Sequence, residues 1–127
     1  MEDFSAVNWL AVVLGAVAAF LVGWLWYSPK VFGVKWAAGA GVQLGSASSM
    51  PVGAMVSQFA ALFLLATVVG ITATTNALFT AILAILAAAM FVASSGAYVK
   101  KSSAAILIEF FYIVVAGAVM ILAQGAL

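Results

Sequence analysis

The uncharged run from Asn8 to Tyr27, NWLAVVLGAVAAFLVGWLWY, limits what this chain can fold into more than any other feature. At ~1.5 Å per residue, a helix of that length covers the ~30 Å hydrocarbon core of a bilayer, so the run reads as a membrane span. Ala11, Gly15, Ala19 and Gly23 recur along it at every fourth position. Such residues stack on one helix face, and small ones let another helix approach closely. The neighbour is either a helix of the same chain or the matching helix of a second copy. Trp24, Trp26 and Tyr27 crowd the far end, where rings that are partly polar favour the headgroup region, and Trp9 marks the near end. Pro29 then prevents the helix from continuing in register.

The remaining chain is equally apolar. Of 127 residues, 69% are hydrophobic and 6% charged, and the mean hydropathy is +1.35. A soluble domain of this size has too little interior to hide that much apolar surface. Spans are predicted at about 7–27, 51–71, 77–98 and 103–124, with an interfacial loop over 28–50. The fold class is therefore all-α, an integral membrane antiparallel four-helix bundle, with residues 1–127 forming a single membrane domain.

Pro51, preceded by Ser49, suits the first turn of the second span. Gly53, Ser57 and Ala61 repeat the spacing of small side chains there. The short connection 72–76 makes the second and third spans an antiparallel hairpin. In the loop, Val31, Phe32, Val34 and Trp36 alternate with Lys30 and Lys35, which predicts a brief interfacial helix or turn. The Gly-, Ala- and Ser-rich remainder, 37–50, reads as loosely draped. The acidic start, Met1-Glu2-Asp3, is unlike the basic beginning of a secretory signal, so the first span is expected to be a retained anchor.

All four lysines, Lys30, Lys35, Lys100 and Lys101, fall in the first and third loops. Short basic loops stay on the cytoplasmic side, which predicts both termini outside, in the periplasm if the membrane is a bacterial inner membrane. Four lysines are too few for a nucleic-acid interface. With no cysteine or histidine, disulfides, thiolate or imidazole metal sites and histidine-ligated haem are excluded, and no cofactor is expected.

The opening residues resemble an uncharacterised family of small bacterial membrane proteins, domain of unknown function 1761. The likeness rests on Asn8-Trp9-Leu10-Ala11, on Gly23 followed by Leu25-Trp26-Tyr27-Ser28-Pro29, and on Phe32-Gly33 and Trp36. Asn76-Ala77-Leu78-Phe79, and Ile108 with Tyr112, are weaker echoes. The resemblance implies a four-span membrane protein without an established activity. It also implies two departures: an amide in the family where this chain has Glu109, and a histidine near the position of Ile113. A role resting on that histidine does not carry over.

Glu109 is the one charge inside a predicted span. It lies about 12 Å below Lys101 at ~1.5 Å per residue, a depth where a carboxylate is a functional candidate by default. Gln58, Ser94, Ser95 and Tyr112 fall at similar depth, which predicts a polar intramembrane layer. That layer either joins helices, through Gln58, the serines or a nearby lysine, or forms a protonatable or cation-binding site. Trp24, Trp26, Tyr27 and Trp36 are read as interface anchors, with a flat lipid-soluble ligand as the alternative. The expected role is non-enzymatic: a structural or accessory component of a membrane assembly, as homo-oligomer or subunit of a larger complex. The alternative is a small proton- or cation-coupled transporter using Glu109.

Overall fold

The computed structural model describes residues 4–41 and 52–127, and the regular structure in them is helical. A 3-10 turn, Phe4–Ala6, leads into α1 (Trp9–Trp26). The short α2 (Gly33–Ala40) follows, then α3 (Val52–Ala73), α4 (Leu78–Tyr98) and α5 (Ser103–Ala126). The four longer helices are long and apolar enough to cross a membrane, with mean hydropathy between 2.1 and 2.5 over their best windows. This is a membrane protein with an all-helical fold. The expectations for Ser49, Pro51 and residues 42–50 lie outside the described residues.

Local chemistry sets the helix ends. The Asn8 side chain accepts from the Ala11 amide at 3.1 Å and the Ser102 hydroxyl accepts from the Ala105 amide at 3.1 Å, each satisfying a first-turn donor. Asn76, at φ 56°, turns the hairpin between α3 and α4 in the left-handed region that asparagine tolerates.

In the bundle, α5 packs against every other helix, most extensively against α1 and α4. The stripe Ala11, Gly15, Ala19 and Gly23 is buried within the chain, facing α5. A Cβ on Gly15 would touch Met120 and Ala123, each at 3.4 Å, and one on Gly23 would meet the Tyr112 hydroxyl at 2.7 Å. The second stripe behaves differently. Gly53, Ser57 and Ala61 are exposed, and a Cβ on Gly53 would meet open space. Instead α3 packs through Leu62, Ala66, Val69 and Gly70. Spacing alone did not mark the face that α3 turns to its own bundle, because a helix apolar on all sides carries no signal of which side meets its neighbours in the chain.

Candidate functional site

The site is built where α1 ends. Beyond Trp26 the chain reverses in a tight turn in which the Phe32 amide donates to the Trp26 carbonyl at 3.1 Å and the Gly33 amide to the Ser28 carbonyl at 2.9 Å. Gly33 has to be glycine, since a Cβ would collide with the Tyr27 carbonyl oxygen. The turn launches α2, whose Ala37 is buried, so 37–40 are helical rather than draped. Gly39 seats α2 on the start of α5. Its carbonyl accepts from the Ser102 amide at 3.0 Å, and a Cβ there would strike the Ser102 hydroxyl. The first and third loops thus meet at one end of the bundle, bringing the lysine-bearing segments together.

Glu109 lies beneath this contact, two turns into α5 and 8% exposed. Its Oε2 accepts from the Trp36 indole at 2.8 Å and from the Lys101 ammonium at 2.6 Å. One carboxylate oxygen therefore ties α2, α5 and the turn before α5. The other, Oε1, is buried with no hydrogen-bond partner among the described residues, close to Gly96 of α4. Carboxylates ordinarily fill both oxygens when buried, so this anion is only half satisfied.

Around it the rings form a connected set. Tyr27 stacks edge-on against Trp36 at 5.2 Å and against Tyr112 at 5.6 Å. The Tyr112 hydroxyl donates to the Ala19 carbonyl at 2.8 Å, and the Trp26 indole donates to the Ile108 carbonyl at 3.0 Å. Beside these rings a cavity of about 550 Å³ opens between α1, α2, α3 and α5. Phe20, Trp24, Tyr27, Trp36, Met55 and Tyr112 supply its apolar wall, and Ser28, Gln58 and Glu109 its polar groups.

The structure brings together part of the predicted polar layer and leaves part outside it. Glu109, Gln58 and Tyr112 share the cavity wall. Ser94 and Ser95 do not, because both are exposed on the outer side of α4, and the residue that α4 turns toward Glu109 is Gly96. Position along the helix could be counted from the sequence, but rotation about its axis could not. Among the predicted anchors, Trp9 and Trp24 are exposed as anchors should be. Trp26, Tyr27 and Trp36 are turned inward and hold the bundle through indole donors and ring contacts. Lys101 bonds Glu109, while Lys30, Lys35 and Lys100 are exposed. Sequence reasoning missed Trp36 as a partner of Glu109; the available signal was the one indole in the first loop that could supply a donor to the one carboxylate in a span.

Residues 10–125 match a family described as protein of unknown function (DUF1761). The chain belongs to that family. No curated protein and no solved structure matches the chain. Its membership agrees with the resemblance carried by the opening residues, and Gly23, Tyr27, Ser28, Pro29 and Trp36 of that resemblance all line the cavity.

Proposed function

We propose that this DUF1761 protein binds a small membrane-soluble molecule in the cavity at its lysine-bearing end. The observation that supports this best is a space of about 550 Å³ whose largely aromatic wall includes the Glu109 carboxylate. That volume suits a small organic ligand, and apolar walls with a few polar groups are the usual make-up of such sites. An ionisable group inside a span is costly to keep unless it serves a purpose. We read the role as binding or carriage rather than catalysis, since one carboxylate beside hydroxyls and an amide supplies no recognisable reaction. Coupled transport of a proton or cation is the more demanding form of this reading, and requires Glu109 to exchange partners during the cycle.

A second reading, membership of a homo-oligomer or larger membrane complex, draws support from a different surface. Gly53, Ser57 and Ala61 lie exposed along one side of α3, a shape suited to close approach by another helix. In either case, the basic loops support an orientation with the lysine-bearing end in the cytoplasm and both termini outside, which is the periplasm in a bacterial inner membrane.

Native mass spectrometry after extraction in mild detergent tests both readings. The binding reading expects a small-molecule adduct on the wild-type chain that is lost in Ala54→Trp, which puts an indole into the mouth of the cavity. An adduct that persists in that variant, or a wild-type chain that carries none and captures none from a lipid extract, overturns it. A discrete oligomer that Gly53→Leu dissolves is the result expected from the assembly reading.

A further inference from the structure

We infer that the molecule held in this cavity is an organic ammonium ion, and that the Lys101 ammonium is its built-in stand-in, displaced into water when the ligand arrives. The inference rests on the binding reading above and adds the charge of the ligand.

Two features favour a cation over a neutral or anionic occupant. Glu109 is 8% exposed and lines the cavity, and its Oε2 already holds a cation, the Lys101 ammonium. Such an anion gains more from a positive neighbour than from a neutral donor. Tyr27, Trp36 and Tyr112 line the same space, and an aromatic lining attracts cations through the ring quadrupole. An alkyl or aryl ammonium would meet the rings with its body and the carboxylate with its charge, whereas an anionic amphiphile would be repelled by Glu109.

Lys101 is the countercharge of Glu109 in this structure. Its ammonium lies 2.6 Å from Oε2, yet its side chain is 25% exposed and arises from a turn rather than from within a helix. A lysine stem is flexible enough to return its head to the membrane surface. Trp36 has no such freedom, since it is held between Glu109 and the Tyr27 ring. Exchange therefore takes place at the lysine: one cation leaves Oε2 as another takes its place, with no change in the net charge of the site.

The test uses the intact chain in detergent micelles and a matched pair of probes: a phenylalkyl trimethylammonium, and its neutral isostere with carbon in place of nitrogen. Trp24 and Trp36 line the cavity and report occupancy by fluorescence. The cation is expected to bind about tenfold or more tightly than the isostere. Lys101→Met, which removes the competitor, is expected to tighten the cation further. In the wild type, saturation with the cation should speed acylation of Lys101 relative to Lys100, read by peptide mass spectrometry, and this does not depend on any variant folding. Equal affinity for the two probes, weaker cation binding in Lys101→Met, or an unchanged Lys101 labelling rate would overturn the inference. If both probes bind equally, the cavity remains a binding site and only the ligand class is wrong; if neither perturbs the tryptophans, the binding reading falls as well.

Discussion

The two ends of the bundle are built on opposite principles. At the end bearing the termini and the α3–α4 turn, helices meet through small residues. A Cβ on Gly70 would lie 2.7 Å from Val12 Cγ2, and one on Gly117 would lie 2.5 Å from Ile85 Cδ1. The hollow that remains there is about 240 Å³, and Thr72, Asn76 and Gln124 are its polar lining, with no charged residue. At the lysine-bearing end, glycines such as Gly23 and Gly39 still permit close approach, but large rings and a carboxylate stand beside them, and the space left is about 550 Å³. In lipid there is little hydrophobic gain from bringing helices together, so close packing has to supply cohesion. The closely packed end supplies it, which allows the other end to keep a cavity and a charge.

Overfilling the packed end breaks this contrast most severely. Gly70→Leu forces a branched side chain against Val12, Gln124 and Val7, and is expected to cost about 3 kcal/mol or more, the upper range for overpacking. Loss of a folded species by size-exclusion chromatography and thermal unfolding is the readout.

Next comes Glu109→Leu, which strands the Trp36 indole and leaves Lys101 without its partner. Because Lys101 can reach water, the expected loss is about 1–3 kcal/mol rather than the full penalty of a buried orphan charge. Adding Lys101→Met to that variant should recover part of the loss; a double variant as unstable as the sum of the singles would show that the pair is not coupled.

Trp36→Phe keeps the ring contact with Tyr27 and removes only the indole donor. It should lower stability by about 1.5 kcal/mol, the low end of the range for one hydrogen bond to a charged group. Its more specific signature is faster proteolysis within the first loop, since α2 loses its tie to Glu109. The smallest effect is expected at Gly53→Leu, where a side chain enters open space and monomer stability should change by less than about 0.5 kcal/mol. A large destabilisation there would mean that α3 presents a different face to the bundle.

Much of this contrast was legible in the chain, but unevenly. The spans follow from hydropathy, and Glu109 stands out because it is the one carboxylate in a span. The stripe on α1 pointed to close approach, and the structure supplies α5 as the neighbour. The faces that α3 and α4 turn to their own bundle were not legible, for a common reason. When lipid is the solvent, a leucine turned outward is as content as one turned inward, so the apolar pattern does not distinguish Gly53 from Gly70 or Ser95 from Gly96. The inward turn of Trp36 was hidden by a different effect: indoles near a membrane surface ordinarily anchor there, and only the docking of α2 on Ser102 shows where this one points.

The difference between the two ends can be measured in one experiment, by adding bulk to each and recording thermal unfolding side by side in the same detergent. The account predicts that Ala54→Trp, at the cavity mouth, unfolds close to the wild-type temperature while Gly117→Leu, against Ile85, unfolds far below it or does not fold. Equal destabilisation by the two substitutions, or a stable Gly117→Leu protein, would contradict it.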